Sequence, residues 1–326
     1  MKIVIADPSL LPHRALLEGG LPEGSTTSWY DSANEHALMA DLADADVLVS
    51  ARLTKAMGSV ASRLRLVHAP GAGYDGIDLD ALPEGAVVAN TFNHEESIAE
   101  YVAASLVILR RRLLCQDRSL RQGRWASAAY DRSIPQPSTL RGSVVTFLGF
   151  GHIGTATWQL LRAFGCEGIA ITRSGSADTS EHGLRWSGTV DELERALEQS
   201  DVLVVSIPLG PETTGLIADG ELDALGADGL LVNVARGPVV EETALYDALS
   251  EGRIAGAAID VWYRYPGSDG EGSPSALPFD DLDNVLLTPH SSGVTADTFR
   301  GRALDIAENI SRLANSEPLK NVVASR

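Results

Sequence analysis

The 326-residue sequence predicts an α/β protein of two domains, each built on a doubly wound parallel sheet. Short β-rich runs alternate with stretches of helical periodicity along nearly the whole chain, which is the pattern of βαβ units. Most runs in the second half are continuously apolar, as expected for strands that helices cover on both faces. At about 100 to 200 residues per domain, the length accommodates two domains with a core each.

The composition is that of a globular protein with an acidic surface. Hydrophobic residues make up 44% and charged residues 21% of the chain, which excludes a disordered or collagen-like protein. Because Lys+Arg is 26 and Asp+Glu is 44, the net charge is −18, and such a surface repels phosphate backbones and anionic headgroups. We therefore expect no nucleic-acid or membrane partner, although a local basic pocket can still hold a small anion.

The cysteines and the apolar runs predict a cytoplasmic protein. Cys115 and Cys166 are too few for a disulfide framework or a four-cysteine metal site, and we expect both to be buried thiols in a reducing compartment. The first apolar run ends at an Asp and a Pro and is too short for a signal sequence. No later run approaches the roughly 18 apolar residues of a membrane span, so we expect no membrane anchor and no bound metal.

Alternating patterns in the first hundred residues predict a small α/β unit. We expect strands at residues 2–6, 46–50, 64–68 and 86–89, with helices at 33–43 and 54–64. A long amphipathic helix is then expected from near Glu96 to about Leu120, with apolar side chains at three- and four-residue spacing. A helix of this length can cross between domains, reach a partner subunit, or belong to an ordinary core.

A second and more regular α/β unit follows. Its expected strands lie at residues 144–148, 168–172, 202–207, 230–234, 254–259 and 285–288. Thr189 stands three residues before Glu192, which predicts a capping box at the start of one helix, and Gly252 is placed to end another near Glu251. A last helix carries an apolar face that can pack back on the first unit, formed by Phe299, Ala303, Ile306, Ile310 and Leu313.

The connection between the first strand and first helix of the second unit predicts a dinucleotide-binding turn. Gly149, Gly151 and Gly154 form the pattern G-x-G-x-x-G directly after the strand. The first glycine allows a tight turn, the second lets the backbone approach a pyrophosphate, and the third lets the helix pack closely on the strand. The amides near His152 and Ile153, at the start of the helix, then face the anion.

The end of the next strand favours NADP over NAD as the cofactor. A site for NAD normally has a carboxylate about 20 residues after the glycines, which binds the ribose hydroxyls. Here the strand ends in Thr172, Arg173 and Ser174, without a carboxylate. A guanidinium and two hydroxyls suit a 2′-phosphate, although an arginine at a strand end can also be a plain surface charge. We expect NADP as the preferred cofactor and NAD as the alternative.

Three ionisable residues follow successive strands of the second unit, at the edge where open α/β sheets bind their ligands. They are Arg236, Asp260 and His290. Reduction of a 2-oxo acid needs a cation for the carboxylate, a proton donor for the new hydroxyl and a hydride source. Arg236 can grip a carboxylate with two N–H groups, and His290 titrates in the range required of a general acid and base. The pair therefore predicts 2-oxo acid chemistry.

Six segments of the chain resemble motifs of the D-isomer-specific 2-hydroxyacid dehydrogenases, in particular the glyoxylate and hydroxypyruvate reductases. They are PGAGYDGID, NTFNHEESIAEYV, GFGHIG, SIPLGPETTGLI, NVARGPVVEETAL and TPHSSG. The resemblance implies a smaller, flavodoxin-like substrate domain of residues 1–99 and 297–326, and a Rossmann domain of residues 100–296. It also implies an active-site cleft between the domains and a homodimer built largely by the dinucleotide domains.

The resemblance assigns roles to residues of the second unit. Arg236 matches the arginine that binds the substrate carboxylate, and His290 matches the general acid and base. Asp260 matches the acid that holds the carboxamide of the nicotinamide. Positions that line the nicotinamide half of the cofactor in relatives correspond to Ser206, Pro208, Val234 and Ala235.

The first unit is expected to contribute substrate contacts. The backbone of Ala72, Gly73 and Tyr74 matches the loop that receives the substrate carboxylate in the family, where glycine permits a close approach. Arg52 follows a predicted strand at a position where some relatives place an arginine that contacts substrate. An exposed surface charge is an equally good interpretation of Arg52.

The chain departs from the family pattern beside the histidine. Relatives carry an acid–proline pair after the Asp-Val of this motif, and its glutamate orients the histidine and keeps it protonated. Aligned on Pro266, that position is Tyr265 here. A phenol can bond to an imidazole but carries no charge at neutral pH, so we expect His290 to have a lower pKa than in relatives and reduction to be favoured at more acidic pH. Asp269 or Glu271 could substitute for the acid, unless their loop is simply a solvated insert.

A binding protein that senses the dinucleotide is the competing function. The same fold serves proteins that resemble the C-terminal-binding transcriptional corepressors. Because a binding module does not need the Arg236–His290 pair, we favour the enzyme. A dehydrogenase of formate or phosphite ranks last, since no residues resembling their distinctive active sites stand out. Oxidation of NADPH by a 2-oxo acid would separate the enzyme from the sensor.

Overall fold

The structure is a computed structural model that describes residues 1–30, 35–267 and 270–326. It divides into two compact units, one of Met1–Asn93 with Thr295–Arg326 and one of His94–Val294. Both observed boundaries lie a few residues before those expected from the sequence. The start of the helix expected at 33–43 and the loop residue Asp269 lie outside the described residues.

The helices and strands alternate along most of the chain. The strands are β1 (Lys2–Ile5), β2 (Thr26–Trp29), β3 (Val47–Val49), β4 (Leu66–His68), β5 (Val87–Ala89), β6 (Val144–Leu148), β7 (Glu167–Ile171), β8 (Trp186–Gly188), β9 (Val202–Val205), β10 (Leu230–Asn233), β11 (Gly256–Ile259), β12 (Val285–Leu287) and β13 (Val322–Ser325). The α-helices are α1 (Arg14–Gly19), α2 (Glu35–Leu42), α3 (Lys55–Val60), α4 (Glu95–Arg110), α5 (Leu113–Arg121), α6 (His152–Ala163), α7 (Thr179–His182), α8 (Leu193–Leu197), α9 (Asp219–Leu225), α10 (Glu242–Ser250) and α11 (Ala296–Ala314). Every strand expected from the sequence is present, and β2, β8 and β13 are additional.

The first unit contains a six-stranded sheet with the order β13-β5-β4-β3-β1-β2. Strands β1 to β5 are parallel in the order 2-1-3-4-5, which is the flavodoxin-like arrangement. Strand β13 pairs antiparallel with β5. The apolar face of α11 is buried with this sheet, since Phe299, Ala303 and Ile306 belong to one cluster with Ile3 and Ile5. The expectation that the last helix packs on the first unit is therefore confirmed.

The second unit contains a seven-stranded parallel sheet with the order β12-β11-β10-β9-β6-β7-β8. Counted from β6, the order is 3-2-1-4-5-6-7, which is the Rossmann order with one further strand. Strands β9 and β10 are buried along their whole length, as their continuous apolar sequence predicts. Because parallel strands end at the same edge, the loops after them share one carboxyl edge. The predicted fold class of two doubly wound parallel sheets is confirmed.

Two expectations about helices are corrected by the structure. The long helix is not continuous, because α4 ends at Arg110 and Arg112 adopts a left-handed conformation with φ of 50° before α5 begins. A residue in that conformation cannot continue the hydrogen-bond ladder of a right-handed helix. Thr189 makes no side-chain cap and precedes a 3₁₀ turn over Val190–Glu192, so the expected capping box is absent there.

The remaining sequence signals have mixed outcomes. Gly252 has φ of 72° directly after α10 and its cap residue, which confirms its role as a helix stop. Cys166 is buried as expected, whereas Cys115 is only partly buried and its thiol donates to the Asp283 carbonyl oxygen. Among the described residues, no helix combines the length and apolar character needed to cross a bilayer.

Candidate functional site

The glycine-rich turn joins β6 to α6, and each of its glycines has a separate steric reason. Gly149 has φ of 94°, and a Cβ there would lie 2.8 Å from the Ile207 side chain and 3.0 Å from the Ser206 carbonyl oxygen. A Cβ at Gly154 would lie 2.6 Å from the Gly149 carbonyl oxygen, so only glycine lets α6 begin this close to the turn. A Cβ at Gly151 would meet no atom within 4 Å, so the space in front of it is open. These environments fit the three roles that the motif predicts.

The start of α6 faces the same open space. The helix begins at His152, directly after Gly151, and no side chain of the described residues caps it. The first N–H groups of a helix lack partners within it and lie at the positive end of its dipole, which favours an anion. The exposed His152 ring has its Nδ1 3.1 Å from Glu95 Oε1. Burial opposes ionisation of Glu95, but its own backbone amide and the His152 ring outweigh burial and keep the pKa of this carboxyl below its usual value.

A pocket of about 1040 Å³ extends from the glycine turn along the carboxyl edge of the second sheet. This volume is of the size that holds a cofactor or a large ligand. Several residues predicted to bind the cofactor line this pocket, namely Gly149, Gly151, Thr172, Arg173, Ser174, Ser206 and Pro208. The loops after β6, β7 and β9 thus form the pocket together, as expected for a dinucleotide site.

The pocket wall after β7 carries charge of both signs. Arg173 and Ser174 are exposed, and no described residue forms an ion pair with Arg173. Asp178 belongs to the same wall and is a carboxylate that sequence reasoning missed. The Glu181 amide and the Ser180 hydroxyl and amide bond to Asp178 Oδ1 and hold the pKa of this carboxyl below its usual value. The carboxylate is therefore engaged by the first turn of α7, whereas the guanidinium is available.

Arg236, Asp260 and His290 follow three adjacent strands, β10, β11 and β12. The ends of these strands are aligned in the sheet, and the three residues follow within three positions of a strand end. Since neighbouring strands lie about 4.8 Å apart, the three loops leave the sheet within about 10 Å of each other. The structure therefore brings the loops of all three predicted residues to one part of the carboxyl edge.

Asp260 fixes the loop that carries His290. Its side chain is fully buried and accepts hydrogen bonds from the Thr288 hydroxyl at 2.7 Å, the Ser291 amide at 2.8 Å and the Ser292 amide at 3.0 Å. These donors flank His290, whose φ of 56° lies in the left-handed region that residues with a Cβ rarely adopt. The observed contacts make Asp260 a support for the histidine loop, and its contact with a nicotinamide stays a prediction.

Tyr265 contacts the His290 ring at one nitrogen. The phenol oxygen lies 3.0 Å from His290 Nδ1 and also accepts a 3.4 Å hydrogen bond from the Trp262 amide. The Trp262 indole donates to the Thr288 carbonyl oxygen at 2.8 Å, which ties this segment to the histidine loop a second time. A phenol can donate to a neutral imidazole or accept from a charged one. The residue that departs from the family pattern therefore touches the histidine directly.

Arg236 lies beside the same segment. A Cβ on the neighbouring Gly237 would lie 2.4 Å from the Trp262 carbonyl oxygen, so the two loops are in backbone contact there. The half-buried Arg236 side chain donates to the Ala235 carbonyl oxygen at 2.7 Å, and its own carbonyl oxygen accepts from the Asn233 amide group at 3.1 Å. The segment after β11 thus contacts the loop of Arg236 on one side and the loop of the histidine on the other.

The residues expected to line a nicotinamide lie along the same edge. The Ser206 hydroxyl donates to the Gly149 carbonyl oxygen at 3.1 Å and so braces the glycine turn. Val234 and Ala235 are buried directly after β10, outside the described wall of the pocket. Among the described residues, no group of three or more His, Cys, Asp or Glu side chains is arranged to hold a metal ion.

The substrate contacts expected in the first unit lie at the carboxyl edge of its own sheet. Ala72, Gly73 and Tyr74 follow β4 and are at least partly exposed. The Ala72 carbonyl oxygen accepts a 2.8 Å hydrogen bond from the Asn90 side chain, a contact that the sequence did not predict. Arg52 follows β3, is exposed, and has no ion-pair partner among the described residues. The position of Asn90 directly after a strand was the signal that could have drawn attention to it.

Sequence comparisons identify the family that these features resemble. Residues 103–292 match a family described as D-isomer specific 2-hydroxyacid dehydrogenase, NAD binding domain. A glyoxylate reductase of Korarchaeum cryptofilum is 31% identical over 303 residues, which cover 90% of this chain and 88% of the relative. A D-3-phosphoglycerate dehydrogenase of Methanocaldococcus jannaschii is 29% identical over 329 residues, which cover 99% of this chain. The matched region spans only 59% of the length of that relative.

A solved structure resembles the whole chain in fold. It is an acyclic imino acid reductase in complex with NADPH and D-Arg, with a TM-score of 0.82 and 26% sequence identity. The superposition covers 99% of this chain and 100% of the other. The likeness therefore includes the elements of both compact units.

Proposed function

This chain belongs to the D-isomer specific 2-hydroxyacid dehydrogenase family, and we propose that it interconverts small 2-oxo acids and D-2-hydroxy acids with a nicotinamide dinucleotide. In this proposal the first unit is the substrate domain and the second unit is the dinucleotide domain. The observation that carries the proposal is the contact of His290 with Tyr265 at the sheet edge that also holds the glycine turn. A protein that only senses a dinucleotide has no need of a histidine held in a left-handed backbone, so we favour the enzyme.

The chain's own residues divide the work of the reaction. When bound, the reduced nicotinamide supplies a hydride for the carbonyl carbon. The Arg236 guanidinium binds the substrate carboxylate and polarises the carbonyl group. His290 donates a proton to the developing alkoxide in reduction and accepts it in oxidation, while Tyr265 orients the ring. The amides of the loop after β4 receive the carboxylate, and Arg52 adds a further positive charge for the substrate.

NADP is the cofactor that the pocket fits better, with NAD as the alternative. The open space at Gly151 and the amides of His152 and Ile153 suit a pyrophosphate. Arg173 is available to pair with a 2′-phosphate, and the Thr172 hydroxyl is buried without a partner among the described residues. We assign the nicotinamide half to the remaining predicted residues, Ser206, Pro208, Val234, Ala235 and Asp260.

We also propose that the protein is a cytoplasmic homodimer. Large apolar side chains are exposed along and after α5 in the isolated chain, namely Leu113, Leu114, Leu120, Trp125 and Tyr130. A second copy that covers this face would bury the apolar groups. Light scattering after size exclusion should give twice the mass of one chain.

A side-by-side assay tests the proposed reaction. Glyoxylate, hydroxypyruvate and related 2-oxo acids are offered with NADPH and NADH, and oxidation of the cofactor is followed. We expect turnover, with His290→Asn and Arg236→Gln lowering kcat/KM by at least about a hundredfold. Arg195→Gln, which removes an exposed arginine of the same unit, is the control and should keep full activity. Tight cofactor binding without turnover of any 2-oxo acid would contradict the proposal.

Reduction of 2-imino acids is a second candidate function. The observation that favours it is the phenol at His290 Nδ1, since a phenol brings no negative charge to stabilise an imidazolium. Hydride addition to a carbonyl creates an alkoxide that must take a proton, whereas hydride addition to a protonated imine gives a neutral amine directly. An imine substrate therefore asks less of the histidine, and the structure with the similar fold is an imino acid reductase.

One comparison separates the two substrate classes. The same 2-oxo acids are assayed with and without ammonium or methylamine, which form imines with them in solution. Faster oxidation of NADPH in the presence of the amine, with an amino acid as product, favours the imine. An unchanged rate, with a hydroxy acid as product, favours the 2-oxo acid.

A further inference from the structure

We infer that Asn90 and Arg302 are positioning residues that shape the loop which receives the substrate carboxylate. This carboxylate loop consists of residues 71–74, after β4 of the first unit. The inference rests on the proposed function, because that proposal gives the carboxylate loop its ligand. Neither Asn90 nor Arg302 was predicted from the sequence, and neither is expected to touch the substrate.

The peptide groups of the carboxylate loop have a common orientation. The Gly71 carbonyl oxygen accepts a hydrogen bond from the Thr91 amide at 3.3 Å, and the Ala72 carbonyl oxygen accepts from the Asn90 side chain at 2.8 Å. No described peptide bond is cis, so each N–H points opposite to the C=O of its own peptide group. The amides of Ala72 and Gly73 therefore both point away from residues 90–91. Within the described chain neither amide donates a hydrogen bond, so the pair is available to an anion.

Asn90 is a buried residue whose side chain makes one hydrogen bond to the carboxylate loop. The residue is 5% exposed and follows β5, and its backbone amide donates to the Asn321 carbonyl oxygen at 3.1 Å. Its side-chain oxygen is buried without a partner among the described residues, which is costly. The hydrogen bond from the side-chain N–H group to the Ala72 carbonyl oxygen therefore has to offset this cost. Without it, the Ala72 carbonyl oxygen has no hydrogen bond from any described residue, and the peptide between Ala72 and Gly73 can rotate.

Arg302 of α11 lies next to Gly71, the first residue of the carboxylate loop. A Cβ at Gly71 would lie 3.6 Å from each of Cζ, Nη1 and Nη2 of Arg302, so the face of the guanidinium covers the open side of that glycine. The guanidinium also lies over the Phe299 ring, with Cζ 5.1 Å from the ring centroid, and its Nε donates to the Phe92 carbonyl oxygen at 3.1 Å. A planar cation thus lies beside Gly71, directly before the two available amides.

The packing of Arg302 has an electrostatic consequence. Its positive charge lies on the side of Gly71 where a Cβ would point and adds to the positive potential of the two amides. Arginine suits this position because its flat group fits between the open side of Gly71 and the Phe299 ring, whereas an ammonium is not planar. We therefore expect Asn90 to set the direction of the amides and Arg302 to strengthen their attraction for a carboxylate.

The test measures carboxylate binding separately from turnover. Asn90→Ala, Arg302→Met and Arg302→Lys are compared with the wild type, using oxamate, an unreactive analogue of a 2-oxo acid, added to the protein–NADPH complex. We expect the oxamate Kd and the glyoxylate KM to rise about five- to tenfold in the first two variants, while kcat and the Kd of NADPH stay unchanged. Arg302→Lys should recover part of the affinity, and the recovery should shrink as salt is added.

Matched variants control for a loss of stability. Asn309→Ala removes another buried asparagine of the first unit, and Arg312→Met another arginine of α11, and neither side chain bonds to the carboxylate loop. These variants should lower the melting temperature without raising the oxamate Kd. Equal rises in the oxamate Kd for test and control variants, or none in either, would overturn the inference while turnover by the wild type upholds the function. A wild type that neither binds oxamate nor reduces any 2-oxo acid defeats both.

Discussion

His290 has a left-handed backbone with φ of 56°, although it carries a Cβ. Such a conformation costs on the order of 1 kcal/mol or more and persists only where its surroundings impose it. Here the surroundings that hold this conformation include Asp260, which accepts hydrogen bonds from residues on both sides of the histidine. The backbone therefore fixes where the ring begins, and Tyr265 fixes how the ring is turned. A substitution at Tyr265 can therefore change the charge next to the histidine ring.

A carboxylate in place of Tyr265 should move the pH dependence of reduction upward. Reduction needs the protonated imidazole, and a neighbouring negative charge favours that form. We expect the falling limb of kcat/KM for a 2-oxo acid to lie at higher pH in Tyr265→Glu than in the wild type. The measurement is a pH–rate profile of both proteins with NADPH. Tyr265→Phe, which adds no charge, should not show the upward shift, and superimposed wild-type and Tyr265→Glu profiles would contradict the role given to Tyr265.

Arg173 should decide between the two cofactors. Reversal of its charge in Arg173→Glu places a carboxylate where a 2′-phosphate would bind and where ribose hydroxyls could be bound instead. We expect the Kd of NADPH to rise by at least about tenfold and the Kd of NADH to change little or to fall. Arg185→Glu, at an exposed arginine of the same unit, is the charge-matched control. Equal weakening of NADPH binding in both variants would mean that only the net charge matters.

At the scale of elements, the strand–turn–helix from β6 to α6 separates stability from ligand binding. Gly151→Ala adds a methyl group to open space, so it should leave the melting temperature nearly unchanged and weaken cofactor binding. Gly154→Ala drives a methyl group to 2.6 Å from a backbone oxygen, so it should lower the melting temperature by several degrees. Calorimetry and a cofactor titration on both variants check this difference. A large loss of stability in Gly151→Ala would show that the space is not free.

The strands and helices differ in how far the sequence could predict them. Strands β9 and β10 were predictable because burial on both faces leaves a continuous apolar run. Edge strands β2 and β13 were missed because they are partly exposed and their residues read as loops. The break at Arg112 carries no glycine or proline that would signal it. In the site, the glycines, Arg236 and His290 were predictable from local spacing, whereas Asn90 matters through a loop 18 residues away.

At the scale of the whole chain, a segment from its end completes the unit formed by its beginning. Helix α11 and strand β13 belong to the same compact unit as β1 to β5. The link is polar as well as apolar, because His68 at the end of β4 is fully buried and bonds through Nε2 to the Asn309 side chain at 3.0 Å. The Asn309 side-chain oxygen in turn accepts a 2.9 Å hydrogen bond from the backbone amide of Lys320, which lies in the segment that leads to β13. His68 Nδ1 lies 3.0 Å from the Ala69 carbonyl oxygen, so the ring has a partner at each nitrogen.

This burial predicts that the first unit loses stability in mild acid. Burial lowers the pKa of His68 to about 4, whereas the unfolded chain should have a pKa of about 6.5. Between these values the unfolded state binds the proton and the folded state does not, so stability falls as the pH decreases from about 6.5 to about 4. The full loss is about 3 kcal/mol, and about 2 kcal/mol of it should be present at pH 5.

A variant without the titrating ring isolates this contribution. His68→Gln should be less stable than the wild type at pH 7, because the amide fits the two partners less well. Its free energy of unfolding should fall less between pH 7 and pH 5, so the gap between the two proteins narrows by about 2 kcal/mol. Urea denaturation at several pH values measures both curves, and groups that titrate in both proteins cancel in the difference. A gap that stays constant over this range would mean that the histidine is already protonated, or exposed to water, in the folded chain.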